Sequence, residues 1–224
     1  MDSLKKAAEL IPGARALVFD FDGTLVDSNP IKWRAFEVCF GDFPDQLPEI
    51  LAYCRSFNHT PRDVKFRSIY ETILRRPYGP DIEQGLLKRF ERETTEQIIE
   101  AAEIPGAEEL LRSVCRTHET AVLSSTPSEP LRAILERRGW KRYFKWIQGA
   151  PVDKARWLRE LRSRQGIPLD SIIFFGDTAE DRDAALKSRC RFVHVGDTLE
   201  TAPGIFTIPN YEKLTAILQE VEQC

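Results

Sequence analysis

The chain reads as an α/β protein: a parallel sheet covered on both faces by helices, with a smaller helical block set into it. Three observations predict this. Four short apolar runs recur, and three of them break off into small or acidic residues. Apolar patterns of helical period lie between the runs, as in βαβ units. Residues 27–100 interrupt that alternation with helical periodicity alone.

Composition bounds the answer. The chain has 224 residues, 42% of them hydrophobic, which suits one substantial domain with a smaller companion and lies above the disorder range. A net charge of −3 supplies no general footprint for nucleic acid or an anionic membrane. The five cysteines (Cys39, Cys54, Cys115, Cys190, Cys224) are an odd set without C-x-x-C spacing. They read as reduced thiols of a cytoplasmic protein, not as a disulfide framework or zinc site. Leu4 to Ile11 is short and broken by Lys5, Lys6 and Glu9, unlike a secretory segment. No apolar run approaches the roughly 18 residues of a membrane span.

The first element is Ala16-Leu17-Val18-Phe19, a strand buried on both faces. It ends in Asp20-Phe21-Asp22-Gly23-Thr24-Leu25. Residues i and i+2 of an extended segment point the same way, so Asp20 and Asp22 share a crevice at the strand's carboxyl end. Gly23 permits a sharp turn. Two carboxylates this close call for a cation or a shared proton, and hard oxygen ligands suit magnesium. An Asp-Gly after a strand also marks simple turns, so the pair is weighed with the rest of the chain.

The interrupting block follows. Trp33, Phe36, Val38 and Phe40 suggest one helix. Phe66, Ile69, Tyr70, Ile73 and Leu74 fit one helical face, and Ile82, Leu86, Leu87 and Phe90 another. Pro30, Pro44, Pro48, Pro61, Pro77 and Pro80 start or break helices. The chain leaves the core near Val26–Pro30 and returns near Ile104-Pro105-Gly106, two crossings that would form a hinge. The core then resumes. Leu110, Leu111 and Val114 make a helix, and strand Thr120–Leu123 runs into Ser124-Ser125-Thr126. Leu131, Ile134 and Leu135 make a helix, as do Trp157, Leu158 and Leu161. Strand Ile172–Phe175 meets Gly176-Asp177-Thr178, strand Phe192–Val195 follows, and Leu214, Ile217, Leu218 and Val221 close the chain as a helix.

Strand ends therefore offer Asp20 with Asp22, Ser124, and Asp177 with Asp181. Lys154, 23 residues before Asp177, opens a helical pattern. Singly, Ser124 reads equally as a helix cap, Lys154 as a solvated lysine, Asp177 as a turn residue and Asp181 as half of a structural ion pair. Their common order along the chain is what argues for one site.

That order resembles the haloacid dehalogenase superfamily, in its phosphatase and phosphomutase branch, similar to phosphoglycolate phosphatases. Asp20-Phe21-Asp22-Gly23-Thr24-Leu25 matches the first motif, Ser124 the second, Lys154 the third and Gly176-Asp177-Thr178-Ala179-Glu180-Asp181 the fourth. Lys154 lacks the proline that follows it in many relatives. The resemblance implies a Rossmann-like three-layer core from residues 1–25 and 101–224, and a small all-helical cap domain over 26–100 that sets substrate specificity. It implies a Mg²⁺-dependent phosphatase for a small phosphorylated metabolite, working through an aspartyl-phosphate on Asp20. Asp22 is then the acid and base, and Ser124 and Lys154 hold phosphate oxygens. Gly23, Thr24 and Ser125 add phosphate contacts. The metal falls to Asp20, Asp22 through its backbone carbonyl, and Asp177, with Asp181 either in the metal's shell or orienting Lys154. The second aspartate excludes the dehalogenase branch.

In the cap, Arg62 and Lys65 are three apart on one helical face. They could bind a second anionic group of the substrate, or simply form a solvated face. His59 reads as a surface or capping residue. Many β-phosphoglucomutase-like relatives carry a histidine soon after the first motif, where this chain has Lys32. That weakens the phosphomutase alternative and makes Lys32 a possible substrate contact. A signalling receiver domain is opposed by the long insertion, and a non-catalytic binding relative by the presence of all four motifs.

Overall fold

The computed structural model describes residues 2–57, 60–197 and 204–222. Along the chain lie α1 (Asp2–Leu10), β1 (Ala16–Phe19), α2 (Asn29–Cys39), α3 (Leu47–Ser56), α4 (Arg62–Ser68) and α5 (Pro80–Glu100). They are followed by α6 (Ala107–Val114), β2 (Glu119–Pro127), α7 (Ser128–Arg137), β3 (Trp146–Ala150) and α8 (Lys154–Gln165). The last are β4 (Ile172–Gly176), α9 (Ala179–Ser188), β5 (Arg191–Val195), β6 (Ile205–Ile208) and α10 (Glu212–Glu222). The chain divides into two compact units, one from Met1–Asp27 with Ala102–Cys224 and one from Ser28–Ala101.

The first unit holds a six-stranded sheet in the order β3-β2-β1-β4-β5-β6, with every neighbouring pair parallel. Parallel strands need covering on both faces, and side-chain alternation supplies both coats. Ala16, Val18, Phe174 and Phe192 join one cluster with Leu158 and Leu161 of α8 and Ala184 and Ala185 of α9. Leu17, Phe19, Ile173 and Phe175, on the opposite parity, are equally buried, and α1 and α6 each pack against α10. Each such fully buried side chain stabilises the fold by about 1.5–3 kcal/mol before entropic costs. Strand order reverses direction between β1 and β4, where an open α/β sheet leaves a crevice at its carboxyl edge.

Two strands were not expected from the apolar runs. β3 and β6 are the sheet's edges, and β3 alternates half-buried and buried residues with Gln148 and Gly149 inside it. An edge strand packs too little apolar surface to write a continuous run. β2 also extends past the predicted Leu123, through Ser124-Ser125-Thr126 to Pro127.

The second unit is helical. Phe36, Phe40, Phe66 and Phe90 form its centre, with ring centroids 4.9–6.0 Å apart and mutually tilted or edge-on planes, an arrangement aromatic quadrupoles favour. The single face expected from Phe66 to Leu74 is broken: α4 ends at Ser68 and Ile69–Ile73 form a π-helical turn. Phe66 and Ile69 stay fully buried, while Tyr70, Ile73 and Leu74 pack at the cluster's margin. No helix among the described residues is long and apolar enough to cross a membrane.

Phe66 tests this packing. Phe66→Ala should destabilise the protein by about 3–5 kcal/mol, read from the shift in urea midpoint. An unchanged midpoint would contradict the central placement of that ring.

Candidate active site

The loop after β1 is fixed by its own backbone. The Asp20 amide donates to the Phe175 carbonyl at 2.9 Å, carrying the β1–β4 ladder one residue past the strand. The Phe21 carbonyl accepts from the amides of Leu25 (2.9 Å) and Val26 (3.1 Å), and the Gly23 amide donates to Val26 at 2.8 Å. Gly23 takes φ +81°, a left-handed conformation open to glycine at little cost. Its amide thus closes the turn itself. Thr24 is fully buried, and its hydroxyl donates to Asp177 at 3.2 Å.

Lys154, the first residue of α8, follows the cap Asp153, whose carboxylate accepts from the Arg156 amide. Its ammonium is 2.8 Å from Asp20 and 2.6 Å from Asp181. All three side chains are nearly inaccessible, so the solvated-lysine alternative fails. Asp181 is also the third residue of α9 in a capping box with Thr178: its amide donates to the Thr178 hydroxyl at 3.2 Å while its own carboxylate accepts from the Thr178 amide. One acidic side chain thereby caps a helix and aims a lysine. Gly176 makes room, since a Cβ there would stand 2.4 Å from the Cβ of Asp181.

Asp22 turns elsewhere. Its Oδ2 accepts from Ser124 at 3.3 Å and from Thr126 at 2.7 Å. Ser124 is therefore in β2, not a helix cap, and the Thr126 amide donates to its hydroxyl at 3.0 Å. Sequence reasoning missed Thr126, although its i+2 spacing from Ser124 repeats that of Asp20 and Asp22. Ser125, expected to contact phosphate, lies between them and is half-buried.

Carboxylate oxygens of Asp20, Asp177 and Asp181 lie within 4.8 Å of one another. The Asp22 carboxylate is outside this group, and the expectation for Asp22 concerned its backbone carbonyl. Burial drives the Asp20 carboxyl well above the usual carboxylate range; Lys154 opposes that, and Asp181, Asp177 and Asp22 add to it. Burial alone would depress Lys154, but Asp181 and Asp20 outweigh it and hold the ammonium charged. Three clustered carboxylates set against one ammonium leave an excess of negative charge in a buried place, and all-oxygen donors of this kind suit a hard divalent cation. The residues fit such an ion.

In the helical unit, Lys65 is only 3% exposed. Its ammonium donates to the Cys54 carbonyl at 3.3 Å and lies 5.0 Å from the centre of the Phe36 ring. Burial lowers its pKa to about 8. This contradicts the solvated face and places the ammonium against its own unit's apolar cluster. Arg62 stacks its guanidinium 5.1 Å over Phe90. His59 lies outside the described residues.

Lys154→Met should cost about 3–5 kcal/mol at neutral pH, because two buried carboxylates lose their cation. The loss should shrink as pH falls. Without Lys154, Asp20 binds a proton more readily folded than unfolded, so stability declines as pH rises through the carboxyl range. Urea titrations between pH 4 and 8 check both. A pH-independent loss would contradict the charge pairing.

Comparison with known proteins agrees with this geometry. Residues 17–195 match the family described as haloacid dehalogenase-like hydrolase. A phosphoglycolate phosphatase of Synechococcus elongatus is 30% identical over 179 residues, covering 76% of this chain and 78% of that protein. A structure from Bacillus subtilis, described as a HAD-hydrolase bound to magnesium, superposes with a TM-score of 0.71 at 18% identity, covering 92% of this chain and 99% of that one. CbbY from Rhodobacter sphaeroides, in complex with phosphate, gives 0.70 at 18% identity over 90% and 96%. Asp20, Asp22, Ser124, Lys154, Asp177 and Asp181 all fall inside the matched segment, and the chain belongs to the haloacid dehalogenase-like hydrolase family.

Proposed function

We propose that this enzyme is a Mg²⁺-dependent phosphatase that hydrolyses a small phosphate monoester through an aspartyl-phosphate on Asp20. The observation that carries the reading is the division of labour between two nearby carboxylates. Asp20 is pinned by Lys154 beside two further acids. Asp22, two residues on, is held by two hydroxyls. This difference supports Asp20 as the nucleophile and Asp22 as the acid and base. Asp20, Asp177 and Asp181, with the Asp22 carbonyl, would hold Mg²⁺, which when bound supplies positive charge to the phosphoryl oxygens.

In the first half-reaction an Asp20 oxygen bonds to phosphorus while the ester P–O bond breaks, and Asp22 gives its proton to the departing alcohol oxygen. In the second, Asp22 takes a proton from water as that water's oxygen bonds to phosphorus. The acyl phosphate P–O bond breaks, Asp20 is restored and inorganic phosphate leaves. Ser124 and Thr126 keep the Asp22 carboxyl oriented through both proton transfers. Lys154 holds Asp20 in line and adds fixed positive potential that needs no reorganisation. Residues 26–100 act as the substrate-selecting unit. The 30% identical relative favours a short carboxylated monoester such as 2-phosphoglycolate.

Asp20→Asn and Asp22→Asn should each reduce p-nitrophenyl phosphate turnover with Mg²⁺ present by at least about 10²–10⁴-fold. EDTA should abolish wild-type turnover, and added Mg²⁺ should restore it. Full activity in either variant ends the mechanism. A panel of phosphorylated metabolites, with Asp20→Ala as blank, tests the substrate class. Phosphate release greatest from 2-phosphoglycolate supports it, whereas a sugar phosphate isomerised without phosphate release would identify a phosphomutase.

A further inference from the structure

Tyr211 stands just before α10 and is completely buried. Its backbone is pinned on both sides: its amide donates to the Pro105 carbonyl, and its carbonyl accepts from the Thr215 amide, each at 2.9 Å. Gly106 closes against the same spot, where a Cβ would come within 2.6 Å of the Glu212 nitrogen. The ring lies edge-on to Phe19 at 6.4 Å and tilted against Phe175 at 6.1 Å. Those phenylalanines pair in register across β1 and β4 and stack at 4.8 Å. They immediately precede the site, one residue before Asp20 and two before Asp177. Tyr211 thus packs against the two side chains that lead from β1 and β4 into the site.

The phenolic oxygen is the anomaly. It is buried and has no hydrogen-bond partner among the described residues. A phenylalanine would fill the same volume without stranding a polar atom, and a stranded hydroxyl is destabilising. Burial first, then the charges of Asp177 and Asp20, push its pKa well above the ordinary tyrosine value. It therefore stays a neutral donor.

We propose that Tyr211 is a positioning residue for Asp177: with the cation in place, its hydroxyl donates to that carboxylate, directly or through one buried water, and fixes its orientation. The inference rests on the metal reading given above. Carboxylates that ligate metals depend on outer donors of this kind, and losing one weakens metal binding about 10–100-fold.

The test is Tyr211→Phe in the full chain, with Mg²⁺ affinity by calorimetry and thermal unfolding with and without Mg²⁺. Without metal the variant should be at least as stable as wild type, because an unsatisfied group is gone. Its Mg²⁺ dissociation constant should rise about 10–100-fold, and the Mg²⁺-induced rise in Tm should shrink accordingly. A tyrosine absorbance difference on adding Mg²⁺ should appear in wild type and be lost in the variant. Equal Mg²⁺ affinity in the two proteins, or a variant less stable without metal, overturns the role of Tyr211 alone. A wild type that binds no Mg²⁺ overturns the metal reading as well.

Discussion

The Lys154 ammonium is the constraint on which the site's geometry depends. Asp20 and Asp181 arrive from different elements, β1 and α9, and both are buried. Either carboxylate alone in that position would be strongly disfavoured as an anion. One cation at 2.6–2.8 Å from each offsets both and ties a strand end to two helix starts. Because Asp181 is also locked into its own helix cap, the direction of the ammonium follows from local backbone geometry. Under the mechanism proposed above, such preorganisation would favour catalysis because the charges need not move when phosphoryl charge redistributes.

The sheet's order explains why these residues meet at all. Strand sequence reverses between β1 and β4, and the Asp20 and Asp177 loops leave from those neighbouring strands. β2, on the other side of β1, brings Ser124 and Thr126 to Asp22. Lys154 comes from the start of α8, three elements later. Four stretches far apart in sequence become neighbours because each is attached to the same carboxyl edge.

Much of this was legible in the sequence. Central strands are buried on both faces, so Ala16–Phe19 and Ile172–Phe175 had to be continuous apolar runs, and their abrupt ends marked the crevice. The edges β3 and β6 were hidden because half-exposed strands carry mixed composition. Lys154 and Asp181 were legible as candidates, but their pairing was not, since nothing in spacing tells which carboxylate a buried lysine will meet. Thr126 was hidden by the expectation that β2 ended at Leu123; once the strand runs on, its side-chain alternation selects Ser124 and Thr126 and passes over Ser125. Lys65 was misleading for the opposite reason: helical spacing places a residue on a face, but only packing decides whether that face looks to solvent or to Phe36. The π-helical turn was equally invisible, because apolar residues at Ile69 to Leu74 satisfy an α pattern without revealing the wider turn.

The points where the chain leaves and re-enters the sheet unit lie side by side. The Ile104 amide donates to the Leu25 carbonyl at 2.9 Å, and the Asp27 amide to the Ala102 carbonyl at 3.0 Å. Everything between is a closed excursion whose two ends are already zipped together by main-chain bonds. The topology thus behaves like a socket: a longer, shorter or unrelated insert can occupy it without altering the register of any strand.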